Sequence, residues 1–150
     1  MMGKIGKLFL LLVVAGAIGI QFVPVERTNP PVTGEVVASD QVMGALRSAC
    51  YDCHSNETQW PWYSRVAPVS WQLAKHVRMG RRNLNFSEWQ DMTSEDQDDA
   101  KREIWEEVDG GSMPLPDYLR MHPEAVLTDS QKEALRRWTQ GQAPEFPDWD

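Results

Sequence analysis

The first pattern along the chain is an unbroken apolar run. From Leu8 to Val25, "LFLLLVVAGAIGIQFVPV" carries no charge and one clearly polar side chain, Gln21. These 18 residues, as a helix rising about 1.5 Å per residue, approach the thickness of a hydrocarbon core of roughly 30 Å. A signal peptide and a membrane anchor share this pattern. Cleavage at Ala15-Gly16-Ala17 would leave "IGIQFVPV" exposed on the product, so an uncleaved anchor over residues 1–25 is the preferred reading. Lys4 and Lys7 precede the run and Glu26 follows it. That bias keeps the N-terminus in the cytoplasm and exports the rest, to the periplasm if the cell is bacterial. With no cysteine near the end of the run, lipoprotein processing is excluded.

Beyond it the pattern becomes helical. Residues 26–38, with Pro30, Pro31 and Gly34 and little periodicity, predict an extended linker, so the folded domain is expected over 39–150. Ser39 or Asp40 caps a first helix whose apolar positions Val42, Ala45, Leu46 and Ala49 recur at i, i+3, i+4, i+7 and which ends at Cys50. A second helix is predicted over "VSWQLAKHVRMG", stopped by Gly80. Thr93 or Ser94 caps a third, with Ala100, Ile104, Trp105 and Val108 as its apolar stripe. A fourth opens on capping-box spacing between Thr128 and Gln131, turns Leu135 and Trp138 inward and stops at Gly141. No alternation of period two is present. The fold class is all-α, with long loops around 54–68 and 109–127.

Composition adds bounds. With 41% hydrophobic and 25% charged residues in 150, the chain is an ordinary globular domain plus its apolar segment. A net charge of −7 argues against general nucleic-acid binding, which needs a cationic surplus.

The chemistry concentrates in "CYDCHSNETQWPWYS", residues 50–64, which holds both cysteines. A redox dithiol calls for a thiol at a helix N-terminus after a strand, whereas here a helix ends at the pair. Zinc requires four ligands, and His54, His76 and His122 form no second close pair. A disulfide closing so small a loop removes little unfolded-state entropy. Cys50-Tyr51-Asp52-Cys53-His54 instead matches the c-type haem attachment pattern, in which two thioethers fix the porphyrin and the next histidine meets the iron. For the sixth ligand the chain offers Met113, 59 residues beyond His54 in the proline-stiffened loop "VDGGSMPLPDYLRMHP". His122 and Met121 in the same loop are rivals. Trp60, Trp62, Tyr63 and Trp71 are candidates to shield a porphyrin edge or donate to its propionates, and Arg65 to neutralise one. Arg78, Arg81 and Arg82 are candidates for a partner-docking patch.

A capped helix ending in CxxCH, a Met-Pro loop and a closing amphipathic helix resemble a class I c-type cytochrome. More closely, "QFVPVERTNPP", "CYDCHSNETQWPWYSRVAPVSW", "RRNLNFSEW" and "GSMPLPDYLRMHPEAVLT" resemble the bacterial haem-binding domain family of small membrane-anchored proteins. The resemblance implies one haem c on Cys50 and Cys53, with His54 and Met113 as axial ligands to iron. The resemblance carries the cofactor and says little of the role; the leading reading is an electron carrier rather than an enzyme, in the bacterial inner membrane with its haem domain in the periplasm, serving redox partner proteins. A haem-based sensor whose methionine is displaced, and a non-redox subunit of a membrane complex, are the alternatives.

Overall fold

The computed structural model describes residues 3–141. Helix α1, Lys4–Gly19, continues through a 3-10 turn, Ile20–Phe22, and buries no residue of its own. The stretch Lys4–Phe22 has a mean hydropathy of 2.1, and is long and apolar enough to span a membrane.

The rest is helical, as the periodicity predicts, with a single isolated bridge between Gly34 and Glu88. Helix α2, Asp40–Ala49, buries the four predicted positions Val42, Ala45, Leu46 and Ala49. Ser39 occupies its N-cap in extended geometry, although its side chain makes no capping bond. A one-turn helix α3, Tyr51–His54, follows Cys50 directly. Helix α4 spans Val69–Asn83, α5 Ser94–Asp109, α6 Pro116–Leu119 and α7 Asp129–Thr139. The predicted caps form: Thr93 accepts from the Asp96 N–H, and Thr128 and Gln131 close a reciprocal capping box. Gly141 takes φ +68, the left-handed conformation that ends α7. The two long loops hold short helical turns, Trp62–Arg65, α6 and Pro123–Ala125.

Two expectations change. Gly80 does not stop α4, which runs on to Asn83 before Leu84 turns extended at φ −154, ψ 128. Gly80 is buried because α4 packs on α3 there: a Cβ at Gly80 would lie 2.4 Å from the Cys53 carbonyl oxygen. Close approach, not termination, selects the glycine. Residues 26–38 are extended as predicted, yet they are not a free tether. Thr33 and Gly34 donate to the Ser87 carbonyl at 3.0 and 2.9 Å, Val36 donates to the Phe86 carbonyl at 3.1 Å, and Val36 is buried in the core. Packing of the domain thus begins ahead of residue 39.

The core lies between α2, α5, α7 and the segment after α4. A column of rings crosses it: Tyr51 stacks on Phe86 at 5.4 Å, Phe86 on Trp89 at 6.0 Å, and Trp89 meets Trp138 of α7 at 5.7 Å. Gly80→Ala isolates the α3–α4 approach. Alanine is the better helix former, so an isolated helix would gain from the change. Here the clash with the Cys53 carbonyl should win and cost about 1–3 kcal/mol, read as a lowered midpoint in thermal or urea unfolding.

Candidate functional site

The cysteine pair is presented by the junction of two helices. Cys50 closes α2 with its N–H on the Leu46 carbonyl at 2.9 Å. Its own carbonyl then accepts from Cys53 at 3.1 Å and His54 at 2.9 Å, winding α3 into a single turn. His54 is held at two points by the chain leaving α4. Its ring Nδ1 lies 3.1 Å from the Leu84 carbonyl, and its own carbonyl accepts from the Phe86 N–H at 2.7 Å. A carbonyl can only accept, so Nδ1 carries the proton and Nε2 presents its lone pair. This is the backbone bond that orients ligating histidines. Burial lowers the His54 pKa against the opposing pull of the Leu84 and Gly80 carbonyls, which favours the neutral, ligating imidazole.

The clamp is itself buttressed. The Asn56 N–H donates to Ser87 Oγ at 2.9 Å, Asn85 Nδ2 donates to Asn56 Oδ1 at 3.0 Å, and Ser55 Oγ donates to the Tyr51 carbonyl at 2.7 Å. Ser55, Asn56, Asn85 and Ser87 are all buried. Arg81 ties the same loop to the linker. Its guanidinium donates to the carbonyls of Ser55 and Thr28, at 2.7 and 2.8 Å, and to Thr58 Oγ1 and Asn29 Oδ1, at 2.8 and 3.0 Å. Of the three arginines expected as a docking patch, this one is therefore committed inside the fold.

Two cavities flank the attachment sequence. One, of about 210 Å³, is lined by Cys50, His54, Leu84, Phe86, Ile104, Val108, Met113 and Pro114, with Glu103 and Glu107 among its further residues. The other, of about 390 Å³, is lined by Cys53, Trp62, Tyr63, Val69, Leu73, His76, Leu115, Tyr118 and Met121. The loop Met113–Leu115 contributes to both. Gly111, at φ +72, turns this loop back from α5, and the N–H groups of Ser112 and Met113 both bind the Glu107 carbonyl, at 3.0 and 3.1 Å. His54 and Met113 thereby share one chamber.

His122 is engaged elsewhere. Its Nε2 lies 2.6 Å from the Tyr63 hydroxyl, its Nδ1 lies 2.9 Å from Glu124 Oε1, and its ring stacks on Tyr118 at 4.2 Å. Neither nitrogen is left over for a metal. Tyr118 in turn donates to Asp52 Oδ2 at 2.8 Å, so a polar chain links the middle of the attachment sequence to His122 and Tyr63. Burial and the nearby Asp52 raise the pKa of both tyrosines and keep them protonated donors. Tyr118, Asp52 and Leu84 were not singled out by the sequence. Leu84 acts only through its carbonyl, and the Asp52–Tyr118 pairing spans 66 positions.

Other expected shields lie away from the cysteines. Trp71 and Trp60 line a separate cavity of about 370 Å³ on another side of α4, and Trp60 donates to Asn29 Oδ1 at 3.2 Å. Arg65 is exposed and lines neither cavity beside the cysteines. Of the predicted shields, Tyr63 and Trp62 reach the Cys53 side.

The cysteines are free. Burial, with the neighbouring Cys53, pushes the Cys50 thiol up to about 12; burial and Asp52 push Cys53 up to about 11, opposed by Arg81. A nucleophilic dithiol needs the opposite shift. Among the described residues no group of three or more His, Cys, Asp or Glu side chains is gathered as a metal site. The residues do suit a haem: an oriented imidazole, a thioether in the same chamber, apolar walls, and thiols pointing to neither zinc nor redox exchange.

A family model described as a haem-binding domain matches residues 15–141 of the chain. No curated protein and no solved structure gives a significant match.

The raised thiol pKa values predict slow alkylation. At about pH 7.5, iodoacetamide should modify the folded, haem-free chain more slowly than the unfolded one, roughly a hundredfold at Cys53 and roughly a thousandfold at Cys50, since the thiolate fraction drops about tenfold per pKa unit. The folded rate should still be climbing above about pH 10. Equal folded and unfolded rates, followed by mass spectrometry, would contradict the burial argument.

Proposed function

The chain belongs to the haem-binding domain family, and from that premise we propose that it is a membrane-tethered monohaem c-type cytochrome that passes single electrons. The observation that carries this reading is the oriented His54: its Nδ1–H is spent on the Leu84 carbonyl while Cys50 and Met113 line the chamber beside it. Bound haem supplies the ferric/ferrous couple.

The remaining work falls to the chain. Cys50 and Cys53 would hold the group covalently, each sulfhydryl being available for a thioether that needs no oxidant or reductant. His54 Nε2 would ligate the iron, its ring fixed by Leu84 and backed edge-on by Phe86 at 6.4 Å. The Met113 thioether would be the second ligand from the chain, and would favour the ferrous state relative to a second imidazole. Leu84, Phe86, Ile104 and Val108 exclude water on the Cys50 side. Tyr63 and Tyr118 offer protonated hydroxyls on the Cys53 side.

With His54 and Met113 both committed to the iron, the chain would leave no position for a substrate and would serve to carry electrons. The apolar helix holds it in the bacterial inner membrane with the haem domain in the periplasm, where it meets its redox partner proteins.

Co-expressed with a c-type maturation system, the chain should retain haem through acid-acetone extraction, and Cys50→Ser/Cys53→Ser should release it. The ferric protein should show the weak far-red charge-transfer band of a methionine–iron bond. That band should vanish in Met113→Ala and persist in His122→Ala. Absence of the band from the unaltered protein would point to His122 as the ligand, its persistence in Met113→Ala would point to Met121, and rapid carbon monoxide binding by the unaltered ferrous protein would favour a sensor.

A further inference from the structure

The end of the apolar helix does not simply release the chain. Gln21, the one clearly polar side chain between Leu8 and Val25, makes a reciprocal pair with a single residue 46 positions away. Its Nε2 donates to the Ala67 carbonyl at 3.2 Å and its Oε1 accepts from the Ala67 N–H at 2.9 Å. Ala67 itself is buried. A side-chain amide at the edge of a bilayer needs such partners, because hydrocarbon offers none.

This pairing fixes the depth of everything near Ala67. Around it stand apolar side chains that a water-facing surface does not need: Trp62 is 73% exposed, Val66 42%, Val69 48% and Trp71 38%. Trp62 and Val69 also line the Cys53-side cavity. Helix α4 then runs beside the chain that leaves the span, since Arg81 near its far end donates to the Thr28 carbonyl at 2.8 Å. Between those two fastenings Lys75 and Arg78 line the cavity formed with Pro24, Val25, Trp71 and one acid, Glu26, which the two cations outnumber. Neither forms an ion pair or a hydrogen bond with another described side chain. They lie about 9 and 14 Å along α4 from Val69, and helical side chains lean toward the N-terminus, here back toward the span. Apolar groups at the depth of Gln21, tryptophan beside them and cations one to two turns further out reproduce the layering of a bilayer surface.

We propose that the domain lies on the membrane through this face, with Trp62, Val66, Val69 and Trp71 in the interface and Lys75 and Arg78 on the phosphates of anionic lipid. The Cys53-side cavity then opens beside the bilayer. The proposal rests on α1 spanning the membrane and is independent of how the haem is held.

The test uses the full chain in nanodiscs of equal phosphatidylglycerol and phosphatidylcholine, with a photoreactive diazirine amino acid placed at Val66, at Val69 or, as reference, at Asp98 of α5. Mass spectrometry after illumination should find lipid adducts at 66 and 69 and water adducts at 98. Water adducts alone at 66 and 69, in chains recovered with the discs, would overturn the proposal. Failure of the chain to enter discs would overturn the anchor and the proposal with it. Visible absorption of the same samples reports the haem separately. Phosphatidylglycerol should exceed half of the lipid adducts at Val69 and fall to half in Lys75→Ala/Arg78→Ala. A share already at half in the unaltered chain would overturn the role of the two cations.

Discussion

His54 is fixed by the segment Leu84–Ser87 that follows α4, and the rest of the fold is arranged so that this segment arrives where it does. The segment meets His54 twice, at Nδ1 through the Leu84 carbonyl and at the main chain through the Phe86 N–H. It arrives there because α4 continues to Asn83, and α4 lies close enough because Gly80 has no side chain to hold it off the Cys53 carbonyl. Phe86 then anchors the segment from behind, buried in the ring column that ends on α7. One continuous set of contacts thus runs from the histidine to the opposite side of the core.

The buttress of that clamp is polar and buried. Ser55, Asn56, Thr58, Asn85 and Ser87 would each be costly to bury without a partner, yet each has one. A satisfied buried network accepts one geometry and rejects near alternatives, whereas an apolar filling of similar volume tolerates sliding. The linker enters the same network, since Asn56 Nδ2 donates to the Pro31 carbonyl at 2.9 Å and Arg81 reaches both Thr28 and Ser55. The chain leaving the apolar helix is therefore tied into the network behind the site, and the family match, which begins at residue 15, includes it.

Helix existence, register and caps were legible because each rests on local chemistry: the α2 stripe, the Thr93 cap and the Thr128–Gln131 box need only their own neighbours. The cysteine and histidine positions were legible for the same reason. Gly80 was misread because a glycine that ends a helix and one that admits a neighbouring backbone look alike in one dimension; only the approach of α3 separates them. Trp60 and Trp71 were placed beside the cysteines by closeness in sequence, but α4 carries Trp71 to a different cavity. The tether reading failed through Arg81 and Ser87, whose partners lie more than fifty residues away, at a range where composition carries no information.

The two sides of the proposed iron site are held unequally. His54 is fixed through its ring, its own carbonyl and a buried network, and displacing it would break several satisfied bonds together. Met113 lies on a loop whose main-chain grip is two N–H groups on one carbonyl, that of Glu107, past a glycine turn. Displacing a thioether on such a loop would disturb fewer contacts, all on the side away from the linker. Both cavities mix apolar walls with polar side chains: Tyr63, Tyr118, His76 and Asp117 line the one beside Cys53, and Asn83, Glu103 and Glu107 line the one beside Cys50. If these residues hold the iron as proposed, the rigid mount of His54 would limit the movement that accompanies a change of charge, and the lightly held Met113 would leave the potential to be set by the chamber around its sulfur.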